Sequence, residues 1–451
     1  MSPEWVSILA LVALFVVGTL LPINMGALAF VAAWLVGMYS LGLDEKEIIA
    51  GISGDLILTL VGVTYLFAIA KNNGTVDLIV RSAVKAVGGR VVLIPWVMFG
   101  VTGTLTAIGA ASPAACAIIA PIALGFAARY KINPLMMGMF VVHGAQAGGF
   151  SPISIYGVIT NSVMRDNDLP VSEMTLFLTS LIFNLFIAVL LFVFLGGRDL
   201  VSRRIDADQP ADTDQAGESG TGPATGGAGG TSGGGGVATA TRTGGGVATA
   251  TKTTVDQWVT LAAFAVVAVV ALVFDKNIGF TAITAAVVLT ALFPAKQKGA
   301  VNQVAWATVL LVAGVSTFAT ILETAGAPEY VGEAAAAMGA AALGALIICY
   351  VGGVVSAFAS STALLPIIIP ISIPLIAEGN ISAIGLVAAV AVSSTIVDVS
   401  PFSTNGALVL ANRPDTIEEE TFYKQILGYS ALVVLIGPLV VWATVVLPGW
   451  I

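Results

Sequence analysis

The stretches "GGFSPIS" at residues 148–154 and "VDVSPFS" at 397–403 each interrupt an apolar run with Ser-Pro-x-Ser. A proline inside a helix removes one backbone hydrogen bond and clashes with the preceding turn, so each motif should open the helix that carries it. In water the freed amides and carbonyls would simply be hydrated. Here the surroundings are apolar, since 57% of the 451 residues are hydrophobic and only 10% are charged, against about 25% charged in an average soluble domain. Apolar runs of about 17 to 25 residues, enough to cross a bilayer core, recur along nearly the whole chain. An all-α polytopic membrane protein is the fold class this composition predicts. Non-helical backbone at membrane depth persists only where it is buried in protein or lines a polar cavity, so both breaks should face inward.

Working outward from the breaks, ten crossings are expected, at 5–21, 24–43, 54–70, 134–164 and 174–196, then 255–274, 277–295, 303–322, 382–411 and 425–447. Two further apolar regions, 91–128 and 341–377, are too long for one crossing and are cut by "GAASPAA" at 109–115 and "FASSTAL" at 358–364. Each reads as a re-entrant helical hairpin. Residues 204–253 are Gly, Thr, Ala and Ser with a tandem decapeptide, "GGGVATATRT" then "GGGVATATKT". Such a segment cannot bury enough apolar surface to offset its ordering entropy, so a flexible linker spanning about 40 Å root-mean-square is expected. The chain therefore divides into an N-terminal repeat, 1–203, the linker, 204–253, and a C-terminal repeat, 254–451.

The two halves keep register. Trp5, Val6, Asn24 and Gly26 match Trp258, Val259, Asn277 and Gly279 at one constant offset, and Gly62 and Gly74 match Gly314 and Gly326. Ser112, Pro121, Ser151, Pro152 and Ser154 likewise match Ser361, Pro370, Ser400, Pro401 and Ser403. Five crossings per half is an odd number, so the second repeat enters the membrane inverted. With both termini outside, 15 of the 18 Lys and Arg residues fall in cytoplasmic segments, leaving only Lys46, Arg165 and Lys276 outside. That is the distribution the positive-inside rule favours.

An opened helix presents the amides of its second half as a partial positive charge, suited to a carboxylate. The candidate substrate-binding residues form two clusters, Ser112 with Ser151 and Ser154, and Ser360, Ser361 and Thr362 with Ser400, Ser403, Thr404 and Asn405. Asp398, the acidic residue well inside a span, and His143, the one histidine, are the candidate coupling residues, because an ionisable group at membrane depth marks an ion or proton path. Cys116 and Cys349 lie apart in apolar segments, so neither a disulfide framework nor a redox pair is expected. The N-terminus lacks a basic n-region and a small-residue cleavage site, and reads as a retained first helix. One His, two separated Cys and one buried Asp make no catalytic cluster, so no enzyme is expected. No Walker A loop is present to use ATP, and no cofactor is expected beyond a coupling ion, Na+ or H+.

Two halves, each with a hairpin followed by a helix broken at Ser/Pro, resemble the ion transporter superfamily, which includes the divalent anion/sodium symporters. The N-terminal half, with "GVTYLFAIAKNNGTVDLIVRSAVKAVGGR" at 62–90 and "HGAQAGGFSPISIYGVITN" at 143–161, more closely resembles the malonate/dicarboxylate carriers of the MatC type. The resemblance implies alternating access to a central site, a homodimer interface on the scaffold and hairpin-tip Ser-Asn-Thr motifs that bind substrate carboxylates and help hold sodium. Here the tips read Ser360-Ser361-Thr362 and Ala111-Ser112-Pro113, without Asn, and the first also lacks Thr; a candidate sodium position lies near Ser361 and Asp398. The expected function is secondary transport of a small dicarboxylate, malonate first, across the plasma (inner) membrane. An inorganic-anion transporter or antiporter, and the large membrane subunit of a binding-protein-dependent system, are the alternatives.

Overall fold

The computed structural model describes residues 2–21, 23–86, 88, 90–201, 254–274, 276–328, 330–331, 341–357, 361–379, 381–414 and 416–449. The expected linker, 204–253, and Ser360 lie outside these residues. The described residues form eighteen α-helices and no strand. The first half runs α1 (Pro3–Leu20), α2 (Met25–Val36), α3 (Glu45–Ala50), α4 (Gly54–Asn72), α5 (Thr75–Ala86), α6 (Leu93–Ala107), α7 (Ser112–Tyr130), α8 (Pro134–Gly148), α9 (Ile155–Asp166) and α10 (Glu173–Phe194). The second runs α11 (Val255–Phe274), α12 (Ile278–Leu292), α13 (Trp306–Thr324), α14 (Ala341–Ser356), α15 (Ser361–Gly379), α16 (Ala383–Ile396), α17 (Thr404–Ala411) and α18 (Glu419–Val441).

Both long apolar regions fold back as helix pairs, α6 with α7 and α14 with α15, and both proline motifs split a helix, α8 from α9 and α16 from α17. The turn between α6 and α7 falls at 108–111, at the front edge of the polar stretch, because Pro113 is tolerated in the first turn of α7, where its missing N–H has no partner to lose. Five described helices are long and apolar enough to cross a membrane alone, α4, α7, α10, α13 and α18 with its terminal π-turn. The basic stretch at 81–90 begins within the strongly amphipathic α5, a helix that the run of spans did not anticipate.

Burial separates a centre from a periphery. Every residue of α8 from Leu135 to Gly148 is buried, as is nearly all of α16, whereas α1, α10, α11, α12 and α18 expose large side chains such as Leu9, Ile182, Val269, Val287 and Leu435. A helix that is apolar all round belongs inside. The broken helices are therefore the core, and the helices that expose aliphatic side chains clad it.

Packing runs across the halves. In the outer layer α2 lies on α13 and α12 on α4; in the centre α7 lies on α17 and α15 on α9. Each contact has a counterpart with the halves exchanged. The matched glycines meet at the outer crossings: a Cβ on Gly314 would come within 1.9 Å of the Gly26 carbonyl oxygen, and one on Gly62 within 2.7 Å of the Gly279 carbonyl oxygen. Small residues let helix backbones touch where lipid offers no hydrophobic drive. The matched asparagines cap the same crossings. Asn24 accepts from the Gly26 amide at 2.9 Å and donates to the Ala307 carbonyl at 3.2 Å; Asn277 accepts from the Phe280 amide at 3.1 Å and donates to the Asp55 carboxylate.

Replacing Gly314 with alanine should drive the α2–α13 crossing apart and cost about 1–3 kcal/mol. Gly125→Ala, with nothing within 4 Å of the added methyl, should leave stability unchanged. Melting temperatures in detergent compare the two, and equal values would mean the crossing does not depend on its glycines.

Candidate functional site

Each break is closed by its own serines. The Ser151 hydroxyl donates to the Ala107 carbonyl at 2.5 Å, and Ser400 donates to the Ala357 carbonyl at 2.6 Å, so each ties its break to the end of the first hairpin arm in the same half. Ser154 and Ser403 are the N-caps of α9 and α17. Ser154 accepts from the Gly157 amide at 3.4 Å and donates to the Ser151 carbonyl at 2.7 Å and to the Gly149 carbonyl; Ser403 accepts from Gly406 at 3.3 Å and donates to the Ser400 carbonyl at 2.8 Å. The turn is so tight that a Cβ on Gly157 would sit 2.1 Å from the Ser151 carbonyl oxygen, and one on Gly406 2.0 Å from that of Ser400. Ser-Pro-x-Ser-x-x-Gly is thus the complete motif, and its glycine escaped the sequence reading although it keeps the same register.

Beside the breaks is a cavity of about 380 Å³, near the lower end of the roughly 300–1,000 Å³ of small-ligand sites. One wall is made of helix starts: Ser112 and Pro113 of α7, Ile155 and Tyr156 of α9, Ser361 and Thr362 of α15, and Thr404 of α17. The opposite wall is Asn24, Ala307, Thr308 and Leu311, from the α2–α13 crossing. Asp398 completes the lining. Among the described residues no Lys or Arg lines it, and each converging helix start supplies roughly half a positive charge.

The structure therefore brings Ser112, Ser361, Thr362, Thr404 and Asp398 into one cavity rather than two separate clusters, with Asn405 directly behind them. Ser151, Ser154, Ser400 and Ser403 do not line it; their hydroxyls are spent on backbone that no water would otherwise satisfy. Tyr156, Asn24 and Thr308 were missed. Tyr156 is 5% exposed and lines the cavity together with Ser112 and Ser361 of the two hairpin tips. An aromatic in an apolar run ordinarily signals packing, so only its place directly after the first break hinted at this role.

Asp398 is held from both halves. Its Oδ2 accepts from Asn405 Nδ2 at 2.8 Å and from Gln146 Nε2 at 3.3 Å, and Asn405 Nδ2 also reaches the Ser112 hydroxyl at 2.8 Å. Gln146 Oε1 and Asn405 Oδ1, both buried, have no donor. Two orphan carbonyl oxygens beside a carboxylate fit a bound cation, or a proton on Asp398 that one of the amides could turn to accept. Among the described residues no group of three or more His, Cys, Asp or Glu side chains could hold a metal ion.

His143 lies elsewhere. Asn184 Oδ1 can only accept, so His143 Nδ1 carries the proton and donates to it at 2.8 Å, while Nε2 accepts from the Tyr429 hydroxyl at 2.6 Å. The ring joins α8, α10 and α18, with neither nitrogen free to face the cavity. Cys116 and Cys349 are buried and unpaired, as packing residues would be.

Residues 1–149 match the family model described as the N-terminus of the dicarboxylate carrier protein MatC, and residues 276–450 match that of a citrate transporter. Among solved structures, the chain is similar to the Alcanivorax borkumensis YdaH transporter, described as having an unusual topology. At 13% identity, the alignment covers 90% of this chain and 88% of that one with a TM-score of 0.55, a likeness of fold alone. No curated protein matches the chain. The N-terminal third of the chain is thus similar to MatC-type dicarboxylate carriers and residues 276–450 to a citrate transporter, and together these similarities indicate a membrane carrier of carboxylates.

Proposed function

We propose that this carrier moves a small dicarboxylate, malonate first among them, across the plasma membrane by alternating access, coupled to Na+ or H+ through Asp398. The observation that carries the reading is the convergence of four helix N-termini on one cavity that contains a single carboxylate and no basic side chain. At roughly half a charge each, four helix starts offer about +2, which matches a dicarboxylate dianion. Asp398 then leaves the loaded site one negative charge in excess. A cation or proton between Asp398, Gln146 Oε1 and Asn405 Oδ1 removes that excess, so substrate and coupling ion load together.

The moving unit in this reading is the two hairpins with the broken helices, which share the central packing. The scaffold is the outer layer with the α2–α13 and α4–α12 crossings, and it also carries the dimer interface. We read the two halves as inverted repeats with both termini outside. On that topology Asn24 and Thr308 stand near the cytoplasmic side, and the cavity they border belongs to the cytoplasm-facing step.

Asp398→Asn should abolish accumulation driven by sodium or proton gradients in proteoliposomes while sparing downhill exchange. Labelled-malonate uptake that keeps its pH and sodium dependence in this variant would remove Asp398 from coupling. A competing panel of malonate, succinate, malate and tartrate, with the two gradients imposed separately, ranks substrates and identifies the ion; no competition by any of them would sink the dicarboxylate reading.

The serines should separate by role. Ser154→Ala and Ser403→Ala each lose an N-cap and should lower stability by about 1 kcal/mol with KM close to wild type. Ser112→Ala and Ser361→Ala should raise KM roughly two- to tenfold, the loss of one ordinary hydrogen bond to the ligand. Melting temperatures and uptake kinetics on the four variants decide it, and the assignment fails if the cap variants carry the KM change.

A further inference from the structure

A second polar pocket, of about 280 Å³, lies on the far side of the N-terminal break. Its lining runs from Pro152 along one face of α9, through Val158, Asn161 and Ser162 to Arg165, and is closed by Lys276 from the turn between α11 and α12. Positions three and four apart share a helix face, so α9 presents a polar ladder about 10 Å long from the surface to the break. Asn161 is 2% exposed, yet neither its Nδ2 nor its Oδ1 has a partner. A buried amide with both ends unsatisfied beside an open pocket is available to hydrogen-bond whatever enters it.

The charges nearby indicate the ligand. Asp55, at the pocket's edge, has its carboxylate engaged by Asn277 and by the Ser162 hydroxyl at 3.4 Å. Arg165 pairs with Glu173 at the surface, an exposed pair that an incoming anion can exchange. Lys276 is exposed and has no ion pair among the described residues. Arg165 and Lys276 are two of only three basic residues that the charge distribution leaves outside.

We propose that this pocket is an outer capture site for a small carboxylate, in which Lys276 and Arg165 take one carboxylate group and the Asn161 amide takes a second polar group, before the substrate reaches the central cavity. The proposal rests on the carboxylate-carrier reading and adds a distinct site to it. Captured substrate waits at the outer face of Pro152, whose helix break borders the central cavity on its other side through Gly149 and Tyr156.

The test uses the full chain in intact cells and a membrane-impermeant amine reagent, with labelling of Lys276 and Lys46 followed by peptide mass spectrometry. Malonate should slow labelling of Lys276 severalfold, leave Lys46 unaffected, and lose this protection in Asn161→Leu; sulfate should protect weakly. Equal protection of both lysines, protection that survives Asn161→Leu, sulfate as effective as malonate, or no labelling of Lys276 from outside would each overturn the proposal. In uptake assays Lys276→Gln should raise the external KM about tenfold, the loss of one charge-assisted contact, with kcat unchanged, and Lys276→Arg should restore it. An unchanged KM in Lys276→Gln rejects capture while leaving the carrier reading intact. Failure of the wild-type chain to transport any dicarboxylate rejects the carrier reading, and the labelling result still stands on its own.

Discussion

Two proline-opened helices at membrane depth must satisfy their backbone without water, and most of the architecture answers that need. Each unsatisfied amide or carbonyl in hydrocarbon costs several kcal/mol. Burying α8, α16 and most of α9 keeps lipid away from them, and pairing each break with the end of a hairpin arm supplies acceptors in register. The Ser-x-x-Gly that follows each proline completes the closure, one residue as cap and one with no side chain to obstruct the turn. What is left over, the amides of four helix starts, is held open toward a single cavity. The cavity is therefore lined by the remainder of a satisfied backbone, and on the proposed reading this lets it take an anion without a basic side chain.

The two breaks are closed alike but furnished differently. Asp398 and Asn405 of the second break occupy the positions held by Gly149 and Tyr156 in the first. The exchange works in pairs. Asn405 donates to Asp398, and a Cβ on Gly149 would lie 2.7 Å from the Tyr156 ring, so a ring there requires a glycine beside it. Asn405 also reaches the other half's hairpin tip, donating to the Ser112 hydroxyl. One break thus holds an acid with its amide, and the other an aromatic ring lining the same cavity, which places the cavity's carboxylate in the C-terminal half.

Much of this was legible in the sequence because the membrane limits the choices. The all-helical, membrane-embedded class and the opening of a helix at each Ser-Pro follow from run length and from the missing proline amide, and Ser112 and Ser361 reached the cavity as their shared register suggested. The direction of a hydroxyl was not legible. Ser151 and Ser112 are both small, buried and beside a proline, and only the carbonyl left free at Ala107 decides that Ser151 turns away. Asn24 and Thr308 were beyond reach for another reason: they enter the wall through the α2–α13 crossing, which joins residues from opposite halves. His143 attracted notice as the one histidine, yet its fate was set by Asn184 and Tyr429, each distant in sequence.

At the outer crossings the matched residues are tied to one another by close backbone contact. Gly26 faces Gly314 and Gly279 nears Gly62, so each matched glycine is held in place by a partner from the other half. Growth of either side chain at such a crossing separates two helices whose asparagine caps, Asn24 and Asn277, also reach across it. One of those crossings, α2 on α13, is itself a wall of the central cavity. Widening it would move Asn24 and Thr308 away from the helix starts and leave four partial charges facing a gap. The spacing of two glycines at this crossing thereby sets the depth of the central cavity.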